Sequence, residues 1–139
     1  MEIEQVLLKN GLIDEDQRQQ AVEQADGRRI DRVLVEMGLL SEEQALKAFA
    51  EELGMEYLDL QNFEIDRELV ESFPTGPIFR HQLLPLDRFN GSVRVATSDP
   101  FDLEALDELA ALSGLQLEPV LALQEDVSEL IKIHLGVGG

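Results

Sequence analysis

The sequence contains no cysteine and no tryptophan among its 139 residues, and it has one tyrosine and two histidines. Without cysteine there can be neither a disulfide framework nor a thiolate zinc site. His81 and His134 lie too far apart to indicate a local metal motif, so the sequence predicts no metal site. The small number of aromatic rings also disfavours a stacking platform for single-stranded nucleic acid.

Positive charge is scarce as well. The 11 lysines and arginines face 29 aspartates and glutamates, which gives a formal net charge of -18 at pH 7. A field of that sign repels phosphate backbones and anionic membrane surfaces. We therefore expect no nucleic-acid partner, and protein partners are favoured.

Long hydrophobic runs are absent. No stretch approaches the roughly 20 apolar residues that a membrane span requires. The first four residues lack the basic region and apolar run of a signal peptide. The sequence predicts a cytoplasmic protein without direct membrane insertion, which can be peripheral to the inner membrane through its partners.

The most informative feature that is present is an internal repeat. The segment GLIDEDQ at 11–17 is echoed by GLLSEEQ at 38–44, an offset of 27 residues. In each copy a glycine closes a short helix in the left-handed conformation, an apolar pair anchors the turn, and a second helix follows. Each second helix begins with a capping-box pattern. The residues of these two patterns are Asp14 with Gln17 and Ser41 with Gln44.

After residue 54 the pattern changes to alternating strand and helix signals. The Asn-Gly pair at 90–91 is typical of a type I′ hairpin. Apolar periodicity predicts the remaining elements. In order, these are a short extended segment at 57–60, a helix at 66–73, hairpin strands at 83–89 and 92–96, a helix at 102–112, a strand at 115–121 and a helix at 124–135. Pro74 and Pro77 are expected to interrupt the chain before the hairpin.

These patterns together predict an α+β fold with two subdomains. Residues 1–54 are expected to form a bundle of about four short helices, a duplicated helix-turn-helix. This bundle is expected to pack on a small α/β subdomain with a β-hairpin at 55–135. Residues 136–139, which include three glycines, are expected to be a tail or linker.

Six short segments occur in an order and spacing that resemble a known family. They are GLLSEEQ at 38–44, YLDL at 57–60, LPL at 84–86, VRVA at 93–96, DP at 99–100 and DEL at 107–109. This combination resembles the N-terminal domain of type II secretion and type IV pilus assembly ATPases, the general secretory pathway protein E N-terminal domain family. The resemblance implies a helical subdomain followed by an α/β subdomain, with an ATPase motor domain acting in cis or in trans.

The resemblance also implies a function, namely docking onto the cytoplasmic domain of an inner-membrane platform protein or an equivalent pilus component. A different possibility is a free-standing adaptor that uses the same fold in motility or signalling. A third arises because one branch of the family binds cyclic di-GMP through a duplicated motif. That motif reads Arg-Leu-Gly, two residues, two aliphatics, two residues, Gly, two aliphatics, and a later Gln.

The motif is incomplete in both copies here. The second copy retains a possible nucleotide-binding remnant, and with the glycine of the first copy its residues are Gly11, Arg29, Gly38, Leu39 and Leu40. Asp31 stands where the motif has glycine, and in the first copy Glu2 replaces the arginine and Glu4 the glycine. Acidic groups at those positions would repel a phosphate. We therefore favour docking over nucleotide sensing and expect no cofactor, with cyclic di-GMP as the alternative ligand.

Arg28, Arg29 and Arg32 form the only basic cluster in the sequence. As a binding site the cluster could receive an acidic loop of a partner or a nucleotide phosphate. The other interpretation is a solvated helix face whose arginines pair with neighbouring carboxylates. These carboxylates are Asp26, Asp31 and Glu36.

No catalytic constellation is visible in the sequence. A phosphate-binding loop requires Gly, four residues, then Gly-Lys-Ser/Thr, and none of the three lysines lies in that setting. None of the serines has the glycine framing of a nucleophile elbow. We therefore expect that this chain is not an enzyme on its own and cannot be the ATPase motor.

Overall fold

The computed structural model describes residues 2–136 and divides the chain into two compact units, Met1–Gly54 and Met55–Gly139. The described residues form eight helices and one three-stranded sheet. The predicted α+β class is therefore confirmed. Apart from Gly136, the expected tail at 136–139 lies outside the described residues.

The first unit consists of two helix-turn-helix copies. Its helices are α1 (Ile3–Lys9), α2 (Glu15–Ala25), α3 (Ile30–Glu36) and α4 (Glu42–Leu53). Gly11 follows α1 with φ +69°, and Gly38 follows α3 with φ +76°. In each copy the leucine after that glycine donates its N–H to a carbonyl five residues earlier, at 3.0 Å. The pairs are Leu12 with Leu7 and Leu39 with Leu34. Both turns are Schellman motifs, which satisfy the last carbonyls of a helix.

Both predicted capping boxes are present. The Asp14 carboxylate accepts the Gln17 N–H at 2.8 Å, and the Ser41 hydroxyl accepts the Gln44 N–H at 3.1 Å. Such caps contribute about 1 kcal/mol each. The second member of each apolar pair is buried, and helix α3 contacts the three other helices. The repeated local signals therefore place corresponding residues in equivalent positions of one small core.

The second unit surrounds a three-stranded sheet. Its elements are α5 (Arg67–Ser72), α6 (Thr75–His81), β1 (Leu84–Phe89), β2 (Ser92–Thr97), α7 (Leu103–Ser113), β3 (Leu117–Leu121) and α8 (Gln124–Leu135). Strand β2 pairs with β1 in antiparallel and with β3 in parallel orientation. Asn90 and Gly91 have φ values of +51° and +81°, as a type I′ turn requires.

The extended segment expected at 57–60 pairs with the sheet through one bridge, Tyr57 with Leu121, and the chain turns at Asp59, whose carboxylate accepts the Gln61 N–H at 2.9 Å. One prediction in this unit is wrong. The expected interruption at Pro74 and Pro77 is instead the short helix α6. Pro74 is its N-cap and Pro77 lies in its first turn, where a backbone N–H has no intrahelical partner.

The core of the second unit lies between the sheet and its helices. Helix α5 contacts β1, α7 contacts β3, and α8 contacts both β1 and β2. Among the residues with no exposed surface are Leu84, Val95 and Leu109. Helix α7 is thus anchored by one face, and this determines which of its apolar residues remain outside the core.

Candidate functional site

The three arginines of the basic cluster lie in different environments. Arg28 donates to the Glu36 carboxylate at 2.8 Å and to the carbonyls of Ala25 and Gln24 at 3.2 and 3.3 Å. It therefore caps the C-terminal end of α2, where cations are favourable. Arg32 is exposed and makes no ion pair within residues 2–136. The structure does not present the cluster as one uniform basic surface.

Arg29 is held by the residue two positions along the chain. Its Nε lies 3.0 Å from Asp31 Oδ1 and its terminal nitrogen 2.7 Å from Asp31 Oδ2. The two side chains are 19% and 6% exposed. A two-pronged contact of this kind is the strongest hydrogen-bonded arrangement that an arginine makes with a carboxylate. An anion that approached this edge of the Arg29 guanidinium would meet the Asp31 carboxylate already in place.

The first copy of the repeat has a related ion pair at the equivalent position. Glu4 accepts from Arg18 at 3.0 Å, and Arg18 also donates to Glu15 through its Nε at 2.9 Å. Hydrogen bonds to Glu15 and then Glu4 raise the pKa of Arg18 above its ordinary value. Glu2 is exposed and precedes α1. In both copies, therefore, the acid at the motif glycine position is neutralised by an arginine of this chain.

The other residues of the predicted nucleotide-binding remnant are mainly explained by the turns and the core that they form. A Cβ added at Gly11 or Gly38 would meet nothing within 4 Å, so only their positive φ angles require glycine. Leu40 is 6% exposed and belongs to the core. Leu39 is half-buried and stays partly accessible. The remnant residues thus account for the turn and the core without any ligand.

The best-defined ion pairs of the second unit tie secondary-structure elements together. Arg94 on β2 contacts Asp87 on β1 at 2.7 and 2.8 Å and lies 4.6 Å from the centre of the Phe89 ring. The Asp87 carboxylate is the main cause of the raised pKa of Arg94. His81 on α6 lies 2.6 Å from Glu108 on α7, and this contact lowers the pKa of Glu108. Both clusters are explained by their structural role, which is to connect neighbouring elements of the second unit.

The described residues contain neither a candidate metal site nor a helix that could span a membrane. Between residues 2 and 136 no group of three or more His, Cys, Asp or Glu side chains is arranged to hold a metal ion. None of the helices in that range combines the length and the apolar character needed to cross a bilayer.

A small apolar pocket lies beside α7 in the second unit. Its lining residues are Met55, Leu83, Thr97, Asp99, Pro100, Asp102, Leu103, Leu106 and Pro119. It encloses about 40 Å³, against roughly 300 to 1,000 Å³ for sites that hold a drug-sized ligand. The pocket can therefore receive one side chain and not a nucleotide. The apolar periodicity predicts a helix at 102–112 but does not indicate that Leu103 and Leu106 line a pocket.

The family model of the MshEN domain matches residues 53–137. The chain belongs to the MshEN domain family. A curated relative is the type IV pilus assembly ATPase PilB of Myxococcus xanthus (strain DK1622), which is 28% identical over 137 residues. The match covers 97% of this chain but 24% of PilB, so the chain spans about a quarter of that relative.

Solved structures of MshEN-type domains have the same fold. The structure of MshE with cyclic di-GMP superposes with a TM-score of 0.85 at 28% identity, over 96% of this chain and 99% of that one. The N-terminal domain of XpsE gives a TM-score of 0.71 at 23% identity, covering 94% and 92% of the two chains, which shows the fold alone. The resemblance to the N-terminal domains of secretion and pilus ATPases is confirmed.

Proposed function

We propose that this chain is a non-catalytic protein-docking module of a type IV pilus or type II secretion system. Its partner in this proposal is the cytoplasmic domain of an inner-membrane platform protein, and the ATPase motor acts with it in cis or in trans. The MshEN family membership and the likeness to PilB support the type of machinery. The acidic charge of the chain supports a protein partner rather than a nucleic acid.

The observation that carries the proposal is the bidentate contact between Arg29 and Asp31. A nucleotide phosphate would compete with the Asp31 carboxylate for the Nε and terminal nitrogen of Arg29, and the negative charge of Asp31 would repel it. In the first copy Glu2 stands at the arginine position, and it would repel the second phosphate. The chain thus keeps the MshEN fold while its own carboxylates take the place of the anion.

The test is a calorimetric titration of the chain with the purified cytoplasmic domain of the platform protein from the same organism. We expect a saturable interaction with a dissociation constant of tens of micromolar or tighter, that is about -6 kcal/mol or more. An unrelated protein of similar acidity and size serves as the control for binding through charge alone. Absence of binding at about 100 µM of platform domain would contradict the proposal.

A second candidate function is cyclic di-GMP sensing, and the observation in its favour is the close superposition on the structure of MshE with cyclic di-GMP. In that case Arg29 would exchange Asp31 for the ligand, and the turns at Gly11 and Gly38 would approach it. Direct binding of cyclic di-GMP to the unmodified chain separates the two candidates. The adaptor in motility or signalling gains support if no motor domain is encoded in the same reading frame.

A further inference from the structure

Helix α7 has apolar residues on two of its sides. Ala105 and Leu109 are 3% and 0% exposed and belong to the core of the second unit. Leu103 is 63% exposed, and Leu106, one turn further along, is half-buried. Leu103 and Leu106 line the pocket together with Pro100 and Pro119. We call Leu103 and Leu106, the two of these residues that lie on α7, the α7 stripe.

Acidic residues surround the α7 stripe. Asp99 and Asp102 line the pocket. Glu104 and Asp107 on α7 are exposed and make no ion pair among the residues that the structure describes. Between Arg94 and Lys132 the sequence contains nine acidic residues and no lysine, arginine or histidine. The exposed side chains beside the stripe are therefore acidic, whereas Glu108 on the same helix is paired with Arg80 and His81 of α6.

We propose that the α7 stripe is a docking surface and that its partner is a basic amphipathic helix. An apolar side chain of that helix enters the pocket, and its lysines and arginines face the acidic rim. This inference rests on the proposed docking function and specifies its surface. The stripe residues one helical turn apart match the spacing of side chains along a second helix.

Two other occupants fit the stripe less well. A partner strand would need an open sheet edge beside the pocket. On its outer side, however, β3 already forms backbone hydrogen bonds through Leu121 to residues 56–58. Its N–H donates to Glu56 and its carbonyl accepts from Leu58, both at 2.8 Å. A second copy of this chain would bring two net charges of -18 together. Charge complementarity thus favours a basic partner.

The test uses a fluorescein-labelled helical peptide of about 18 residues, with leucines on one face and lysines on the other. A counterpart with glutamate in place of lysine is the charge control. We expect the basic peptide to bind, with an affinity that falls as salt is added, and the acidic peptide not to bind. Binding of both peptides, or of neither, would overturn the proposal.

Two matched pairs of variants locate the surface. Leu103→Ser is expected to weaken peptide binding at least about tenfold. Leu112→Ser is its control, because Leu112 is 58% exposed on the same helix and does not line the pocket. Glu104→Lys with Asp107→Lys is compared with Glu23→Lys and Glu51→Lys, which change the net charge equally. Equal effects within either pair would show non-specific attraction and contradict the proposal.

The same four variants are titrated with the platform domain, so that the two proposals can fail separately. If the platform domain binds the unmodified chain and Leu103→Ser alike, the surface is wrong and the docking function stands. If the peptide distinguishes Leu103 from Leu112 but the platform domain does not bind, the proposed function fails and the surface stands. Thermal unfolding checks that each variant is folded, which we expect because all the substituted side chains are solvent-accessible.

Discussion

The two units of the chain differ in how far their charged side chains are paired and their apolar side chains are buried. In the helical unit Arg29 at the motif position pairs with Asp31, and Glu4 in the first copy pairs with Arg18. In the α/β unit Leu103 remains exposed, and the neighbouring acids Glu104 and Asp107 lack ion pairs in the described part of the chain. The difference indicates that these charged residues of the repeat are paired within the helical unit, whereas exposed apolar and acidic side chains without ion pairs in the described part of the chain lie on α7.

The largest expected effect comes from breaking the internal pairing of the helical unit. Asp31→Ala leaves the guanidinium of Arg29 largely buried without its main partner, so we expect a loss of about 2 to 4 kcal/mol in the free energy of unfolding. Glu4→Ala is the comparison in the first copy. It is expected to lose less than about 1 kcal/mol, because Glu4 is more exposed and Arg18 keeps Glu15. Urea denaturation measures both, and equal losses would show that Arg29 and Asp31 are no more tightly coupled than a surface pair.

The next effect concerns the repeated turns. Gly38→Ala and Gly11→Ala each place a Cβ on a backbone with positive φ and are expected to lose about 1 to 2 kcal/mol. Gly76→Ala in the α/β unit is the control, since Gly76 lies in α6 without a positive φ and alanine favours a helix. Thermal unfolding should show lower midpoints for the first two and an unchanged or higher midpoint for the third. Unequal losses at Gly11 and Gly38 would mean that the two copies are not equivalent in energy.

A smaller loss is expected from the helix caps. Ser41→Ala removes the side-chain acceptor of the Gln44 N–H and should lower the free energy of unfolding by about 1 kcal/mol. Ser41→Asp keeps an acceptor at the same position and should retain stability. The two variants are compared by chemical denaturation. If Ser41→Ala and Ser41→Asp were equally destabilised, the capping box would not account for the start of α4.

The smallest predicted effect is a pH dependence of stability that we expect in the α/β unit and not in the helical unit. Burial, and then the charge of Arg67, lower the pKa of His134 below its ordinary value of 6.5, while Glu71 opposes this shift. The folded state therefore binds fewer protons than the unfolded state, and stability is present above pH 6.5 and is lost as pH falls through the lowered pKa. The helical unit contains no histidine. Hydrogen exchange should show α8 loosening first as pH falls from 7 towards 5, and His134→Gln should remove this dependence. Simultaneous loosening of both units would contradict it.

Local sequence rules predicted the parts of the fold that depend on neighbouring residues. The turns at Gly11 and Gly38, the capping boxes and the Asn-Gly hairpin are each determined within about six residues. Helix α6 was missed because Pro77 was taken as a helix breaker, although a first turn tolerates proline. The extended segment at 57–60 was predicted, but its bridge to β3 was not, because that pairing joins residues distant in sequence.

The candidate site was predictable only in part. Pairing of the arginines with Asp31 and Glu36 was one of two interpretations, and the sequence could not choose between them. The α7 stripe was missed because the periodicity of a helix with two apolar sides does not show which side meets the core. The available signal was an excess of leucine, since Leu103, Leu106 and Leu109 exceed what one core face requires.

The central claim is that the carboxylates of this chain have replaced a nucleotide at the repeat, which leaves the MshEN fold for protein docking. Its most direct test is a calorimetric titration of cyclic di-GMP into the unmodified chain at physiological salt. We predict no saturable heat up to about 100 µM ligand, which corresponds to less than about 5.5 kcal/mol of binding free energy. Stoichiometric binding with a dissociation constant below about 10 µM would contradict the account.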